Sequence, residues 1–211
     1  MGSIKSTKPP LSTYNAALSP FCDKHLGETA IILGNGPTAK KYDGQIKGIH
    51  IGMKASLRRL SHIEQPYYFF GDYNQNTYDD ITYLKCYSGI KFALCIVDNR
   101  EDKDLISLRK VHKMNAIPLE LSMDRHFIRE IDKYCLYKKA TIICACQFAF
   151  WAGFKNIYIV GADCDRQSKV DEARIHVFKL MADFAKKEYP DVNVYSVNPI
   201  KLVGLFQDVY I

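Results

Sequence analysis

Seven short apolar runs along the chain have the length of β-strands. They are apolar at successive positions rather than at every second one, and they cover residues 29–34, 46–52, 66–72, 91–98, 116–121, 156–163 and 192–197. Strands of this kind are buried on both faces, which is typical of a parallel sheet with helices on both sides. The pattern therefore predicts a mostly parallel sheet inside the protein.

Amphipathic stretches separate several of these runs. Apolar side chains recur at three- and four-residue intervals over 104–113, 127–137 and 173–187, which predicts a helix in each. The alternation of strands and helices predicts an α/β fold, a single Rossmann-like domain with a mostly parallel sheet and helices on both faces. We expect this domain to cover residues 28–211, and the polar residues 1–27 to form a poorly ordered N-terminal arm.

The first predicted strand ends in the turn Gly34-Asn35-Gly36-Pro37-Thr38, which two lysines follow closely. Glycine allows the backbone to approach a ligand, and proline suits the first position of a helix. A helix beginning at Pro37 would aim unpaired N–H groups at the turn, where they suit a phosphate. Because neither the dinucleotide fingerprint nor the P-loop pattern is present, the turn predicts either a nucleotide site or an ordinary strand-to-helix turn.

Polar residues also follow two other predicted strands. Asp72 is the last residue of the third run and Asn74 follows it, and Asp163 is the last residue of the sixth run and Asp165 follows it. Ligands of an open parallel sheet bind beyond the carboxyl ends of its strands, so these are candidate binding residues. A D-x-D pair can hold a divalent metal, contact a nucleotide or cap a helix. We favour direct nucleotide contact for Asp163.

Composition narrows the class of protein only slightly. A net charge of +6 and a pI near 8.8 indicate an anionic partner, but no nucleic-acid-binding motif accompanies them, so we expect no nucleic-acid partner. The 7 cysteines lack the spacing of a zinc site and predict reduced thiols. With no apolar run of the roughly 18 residues that a membrane span needs, and no secretory signal in the N-terminal residues, we expect a cytoplasmic location.

Three segments carry a resemblance to a known family. AIILGNGPT (30–38), ATIICACQFAFWAGFKNIYIVGADCD (140–165) and VYSVNPIKLVGLF (194–206) resemble, in order and rough spacing, the bacterial sialyltransferases of glycosyltransferase family 42. They also resemble a wider superfamily that includes the motility-accessory flagellin glycosyltransferases and the MptE-like 6-hydroxymethylpterin pyrophosphokinases. The resemblance implies a CMP-sugar donor bound at the strand ends, without a metal or other cofactor.

The resemblance also implies roles for individual residues. Asn35 falls on the family's turn asparagine, which contacts the donor nucleotide, and Thr141 falls on a serine that contacts the donor. Asp163 matches the strand-end aspartate beside the nucleotide. Asn198 and Pro199 lie in a stretch that resembles the family's nucleotide-side loop near the C-terminus. Gly34, Gly36, Pro37 and Thr38 complete the nucleotide-binding turn.

Other positions differ from the family pattern. Lys54 falls near a second family asparagine, and Asp72 or Asn74 near a third. Asp165 replaces a tyrosine. Lys138 replaces an arginine, which preserves the charge but not the planar geometry.

The segment after Asp165 is much shorter than the lid that carries the family's catalytic histidine. His176 is the histidine nearest to this place, and it aligns only if the helix shifts. Histidine can take the proton of an acceptor hydroxyl, and cations can neutralise a departing phosphate. We hypothesise that His176 is the base, with Arg174 and Lys138 near the phosphate; a plain position on a helix flank is the alternative for His176.

The leading functional prediction is a metal-independent glycosyltransferase with a CMP-activated, sialic-acid-like donor. Its expected partners are that donor and an acceptor on a surface glycan or lipooligosaccharide. The alternatives are a pyrophosphokinase that needs ATP and Mg²⁺, and a non-catalytic nucleotide-binding module that lacks the lid. Peripheral contact with an anionic inner membrane surface and assembly into a homo-oligomer are left open.

Overall fold

The structure is a computed structural model of the chain. It describes residues 15–71, 78–96, 111, 113–122, 127–134, 136–137, 140–165 and 168–211. Three of the predicted site residues, Asp72, Asn74 and Lys138, lie outside the described residues. Most of the predicted helix over 104–113 also lies outside them.

One sheet runs through the described part of the chain. Its strands are β1 (Thr29–Leu33), β2 (Ile49–Met53), β3 (Tyr67–Phe70), β4 (Ile90–Ile96), β5 (Ile117–Ser122), β6 (Leu136–Tyr137), β7 (Asn156–Val160), β8 (Asn193–Val197) and β9 (Gln207–Val209). Their order is β6-β5-β4-β3-β2-β1-β7-β8-β9, and each neighbouring pair is parallel. The seven predicted strands are confirmed, whereas the short β6 and β9 were not predicted.

Helices cover both faces of the sheet. The described ones are the 3₁₀ helices η1 (Asn15–Phe21) and η2 (Pro37–Lys41) and the α-helices α1 (Ser56–Arg59), α2 (Tyr78–Cys86), α3 (Thr141–Trp151) and α4 (Lys169–Glu188). α4 confirms the helix predicted over 173–187. The α/β, Rossmann-like, single-domain prediction is likewise confirmed by this arrangement.

Successive strand residues point to opposite faces, and this alternation divides the core in two. In β1, Ala30 and Ile32 pack on the face that carries η1, α3 and α4. Ile31 and Leu33 pack on the other face, against η2 and α1. α2 covers that second face further along the sheet, over β3 and β4. The apolar runs are therefore continuous because both faces of each central strand are buried.

The prediction of a helix over 127–137 is wrong. Residues 131–133 form a turn and Leu136–Tyr137 forms β6. Ile131 and Leu136 are both fully buried in the core on the α3 face, five positions apart, a separation that does not suit one helix face. Phe127 stacks on Phe184 of α4, with ring centroids 5.4 Å apart. Tertiary packing, rather than helical periodicity, accounts for the spacing of these apolar residues.

Residues 15–27 belong to the folded core, in contrast to the poorly ordered arm predicted for residues 1–27. Leu18 and Phe21 of η1 are buried beneath the sheet. The Asn15 side chain accepts a hydrogen bond from Glu120 N at 2.7 Å and donates one to Tyr134 O at 2.9 Å. Packing by two large apolar side chains offsets the low intrinsic order of this polar segment. Residues 1–14 lie outside the described part of the chain.

The strand order reverses between β1 and β7. From β1 the chain builds the sheet outward through β2 to β6, then returns through α3 to place β7 on the other side of β1. In an open α/β sheet, ligands bind beyond the carboxyl ends of the strands near such a switch point, so the turns that follow β1 and β7 are the first place to search for a site. Within the described residues, no helix has the length and apolar character needed to cross a membrane.

Candidate functional site

Two turns meet at the carboxyl ends of β1 and β7. Gly34 N donates to Val160 O at 2.8 Å, and Gly36 N donates to Gly161 O at 2.9 Å. A Cβ atom on Gly34 would lie 2.6 Å from Gly161 O, and one on Gly36 would overlap the Asp163 carboxylate. Close contact between the two turns therefore requires glycine at both positions, because the neighbouring backbone atoms cannot move aside for a side chain.

Asp163 joins these turns. Its side chain is buried, with 3% exposure. One carboxylate oxygen accepts a hydrogen bond from Thr38 N at 2.8 Å, and the other accepts one from the Thr38 hydroxyl. Asp163 thus caps η2 from across the switch point, although 125 residues separate the two in sequence.

This contact changes two expectations from the sequence. A phosphate was expected at the N–H groups of a helix beginning at Pro37, but Thr38 N is bonded to the Asp163 carboxylate instead. Asp163 was favoured as a direct nucleotide contact, yet both of its oxygens bind Thr38 and its side chain is buried. We conclude that Asp163 positions the turn. In the described residues, no group of three or more histidine, cysteine or acidic side chains could hold a metal ion.

A cavity of about 360 Å³ lies between the first turn and α1. Its lining combines the turn, η2 and the residues after it, and α1 with its C-terminal loop. The lining residues are Gly34, Asn35, Ala39, Lys40, Tyr42, Asp43, Ser56, Arg59, Leu60 and His62. This volume lies within the range of small-molecule sites. We refer to this cavity as the turn pocket.

Asn35 and Arg59 contact each other at the turn pocket. Arg59 Nη1 donates to the Asn35 side-chain oxygen at 2.9 Å and lies 3.5 Å from the Asn35 backbone oxygen. Both side chains are exposed. The contact uses the amide oxygen, so a ligand would receive a hydrogen bond from the amide nitrogen of Asn35 and from the remaining donors of Arg59.

The charged groups of the turn pocket are mainly cationic. Lys40 and Arg59 are opposed by the single carboxylate of Asp43, which lies 2.8 Å from His62 Nε2. Lysine and arginine attract an anion, and arginine matches the geometry of a phosphate. The described lining therefore suits a ligand with at least one negative charge.

Buried, hydrogen-bonded polar residues surround the base of the turn pocket. Tyr42, with 2% exposure, bonds its hydroxyl to His50 Nε2 at 2.7 Å. Burial raises the pKa of Tyr42 to about 12 and lowers the pKa of His50 below its ordinary value. The Ser56 hydroxyl accepts from Met53 N at 2.8 Å and donates to Gln65 at 2.8 Å, which fixes the start of α1.

Four predicted residues lie at other strand ends. Lys54 follows β2 in a left-handed conformation, with φ of 51°, and its carbonyl accepts a hydrogen bond from the Tyr68 hydroxyl. Thr141 is the first residue of α3 and is buried. Asn198 accepts a hydrogen bond from Ile211 N at 3.1 Å, which ties the loop that contains Pro199 to the C-terminal residues. None of the four is among the residues that line the turn pocket.

The structure does not bring the predicted catalytic pair to the turn pocket. His176 is exposed on α4, and Arg174 Nη1 is paired with Asp171 at 2.9 Å. α4 packs on one face of the sheet through Val177, whereas the helices that line the turn pocket pack on the opposite face. Asp165 follows β7, near Asp163 and not in the pocket lining.

Sequence reasoning missed Arg59 and His62. Both lie in or just after α1, which follows β2, and β2 is the neighbour of β1 in the sheet. Cationic and titratable residues soon after the second strand were a usable signal, because neighbouring parallel strands bring the loops that follow them to one edge of the sheet.

No family model matches the chain, and no curated protein matches it.

Proposed function

We propose that this protein is a metal-independent glycosyltransferase that uses a CMP-activated, sialic-acid-like sugar and binds the donor in the turn pocket. The observation that carries the proposal is the contact between Asn35 and Arg59, on the wall of a 360 Å³ cavity at the first turn. The motif resemblance supplies the nucleotide and the sugar class. The acceptor is a hydroxyl of a surface glycan or lipooligosaccharide, and transfer takes place in the cytoplasm or at the inner membrane surface.

The charges favour one way for the donor to bind. Because Asp163 occupies the N-terminal end of η2, the donor phosphate binds instead in the turn pocket, where Lys40 and Arg59 are the cationic lining residues. Asn35 then donates to the phosphate or ribose from the turn itself. The cations stabilise the negative charge that grows on the phosphate as the sugar leaves, so they act without a metal ion.

One observation favours a non-catalytic nucleotide-binding module as the second candidate. His176, the residue predicted to be the base, lies on a helix of the opposite sheet face from the turn pocket. A protein that kept the Rossmann core without the lid would bind CMP and would not turn over a CMP-sugar. Release of CMP from the donor separates the two candidates.

The first test is a thermal-shift titration with CMP, UDP, ADP and ATP, with and without Mg²⁺. A ligand at 100 times its Kd adds about 2.7 kcal/mol to the free energy of unfolding, which corresponds to roughly 5–10 °C for a domain of this size. We expect CMP to give this shift without Mg²⁺. We expect Arg59→Gln to weaken CMP binding at least about tenfold, because it removes a charge-assisted phosphate contact.

Arg58→Gln is the matched control. Arg58 is the preceding residue of the same helix, is exposed and does not line the turn pocket. We expect it to bind CMP as the wild type does. Absence of a shift with every nucleotide, or equal binding by both arginine variants and the wild type, would overturn the proposed site.

A further inference from the structure

We propose that His62, oriented by Asp43, is the base that takes the proton of the acceptor during transfer. The inference rests on the proposed function and identifies a catalytic residue for it. It also replaces the assignment of this role to His176, which the fold places on a helix of the other sheet face.

Position is the first argument. His62 lies three residues after Arg59, in the loop that follows α1, and both residues line the turn pocket. A donor phosphate held by Arg59 therefore places the neighbouring sugar in the same cavity as the His62 imidazole. The His62 side chain is 54% exposed, so an acceptor can reach it from solvent.

The pairing with Asp43 is the second argument. His62 Nε2 lies 2.8 Å from Asp43 Oδ1. A neutral imidazole that donates its Nε2 hydrogen to this carboxylate keeps the lone pair on Nδ1, the form that can accept a proton. The carboxylate also stabilises the imidazolium that forms when Nδ1 is protonated, as an acidic partner does in other base–acid pairs.

The third argument is that the His62–Asp43 pair contributes little to the stability of the fold. The Asp43 side chain is 77% exposed, and an ion pair this exposed contributes little to stability. Asp43 follows η2 and His62 follows α1, so the pair joins two loops at the mouth of the cavity without adding to the core. Removing it is therefore expected to leave the fold intact, which makes a change of rate interpretable.

The step balances in atoms and charge. The acceptor oxygen forms a bond to the anomeric carbon while the bond from that carbon to the donor phosphate oxygen breaks. The phosphate departs with the bonding electrons as CMP, between Lys40 and Arg59. The acceptor proton moves to His62 Nδ1 and is later released to solvent. Water can take the place of the acceptor hydroxyl, which gives hydrolysis of the donor.

Donor hydrolysis provides a test that does not require the natural acceptor. CMP-N-acetylneuraminate is the probe, and the rate of CMP release is measured. We expect His62→Gln to lower kcat at least about 100-fold, as for loss of a general base, and to keep the thermal shift with CMP.

Asp43→Asn tests the positioning role. It is expected to lower kcat at least tenfold, with KM changed less than threefold. Asp191→Asn is its matched control, since Asp191 is exposed in the loop before β8, at the amino edge of the sheet, and is expected to leave kcat unchanged. Imidazole NMR gives a second readout. Addition of CMP is expected to shift the His62 resonances and not those of His176.

The outcomes distinguish this inference from the proposed function. If CMP does not bind, both fail. If CMP binds but the wild type releases no CMP from the donor, the base assignment is overturned, and the non-catalytic module is supported. If His62→Gln keeps kcat within threefold, or CMP shifts His176 and not His62, the inference fails while the proposed donor site stands.

Discussion

Two buried side chains at the turn pocket have charge states set by burial. The hydroxyl of Tyr42, which lines the pocket, and His50 Nε2 form a buried hydrogen bond of 2.7 Å. Burial favours the uncharged form of each group, so the pKa of Tyr42 rises to about 12 and the pKa of His50 falls. The pair is therefore neutral across the physiological pH range.

His50 is expected to make the free energy of unfolding depend on pH. Because its pKa is lowered in the folded state from 6.5, the unfolded chain binds more protons as pH falls through that value. Stability is therefore expected to fall as pH decreases below about 6.5. Urea unfolding between pH 5 and 8 measures the slope.

The chain has 6 histidines, and His50→Gln separates the contribution of His50 from that of the others. Glutamine keeps a polar group near Tyr42 but does not titrate. We expect a smaller loss of stability between pH 7.5 and 5 in the variant than in the wild type. An equal slope in the two proteins would show that His50 is not the group responsible.

Among the secondary-structure elements, α3 differs most from an ordinary amphipathic helix. Ten of its 11 residues are buried. The sheet covers it on one side, and α4 contributes Val177 and Phe178 to the same core. A helix covered on several sides needs apolar residues all around its circumference, which is why its sequence has no polar stripe.

Phe148 of α3 is expected to be the most sensitive position of this helix. Its ring lies 5.1 Å from that of Phe92 and 5.4 Å from that of Tyr67, between centroids, and its side chain has no exposure. We expect Phe148→Ala to cost about 3–5 kcal/mol, measured by urea unfolding, through lost burial and a new cavity.

Phe184→Ala is the comparison for Phe148→Ala. Phe184 belongs to α4, is only partly buried, and stacks on Phe127 at 5.4 Å. Its replacement is expected to cost less than half as much, because solvent already reaches the side chain and the surroundings can relax. Similar costs for the two substitutions would contradict the view that α3 forms the centre of the core.

At the scale of the whole molecule, the switch point depends on contacts between distant parts of the chain. Asp163 and Thr38 are 125 residues apart in sequence, and their hydrogen bonds join the turns after β7 and β1. Gly34 and Gly161 allow the same turns to touch. The position of Asn35, and with it the shape of the turn pocket, therefore depends on the far half of the chain.

Asp163→Asn tests this dependence. An amide has one oxygen to accept from Thr38 N or from the Thr38 hydroxyl, and its NH₂ group then faces the other donor. We expect a loss of about 1–3 kcal/mol in the free energy of unfolding and weaker CMP binding, although Asp163 does not line the turn pocket.

Thr38→Ser is the control for Asp163→Asn, because it keeps both donors to the carboxylate. It is expected to retain most of the stability and the CMP thermal shift. If Asp163→Asn bound CMP as tightly as the wild type while losing stability, the contact would support the fold without shaping the pocket.

The sequence by itself determined the fold class and most of the strands. Apolar runs of strand length form one parallel sheet because burial on both faces leaves few polar positions in them, and this constraint is local. The glycine-rich turn was also identified correctly as a feature of a strand end. The two shortest strands and the 127–137 segment were missed, because their structure depends on neighbours rather than on their own periodicity.

Only the tertiary structure decided which residues share a site. Asp163 caps η2 rather than facing the turn pocket, Arg59 reaches Asn35, and His62 pairs with Asp43. His176 falls on the other face of the sheet. Such placements follow from strand order, which is set by long-range packing. A local pattern of residues does not determine which loops become neighbours.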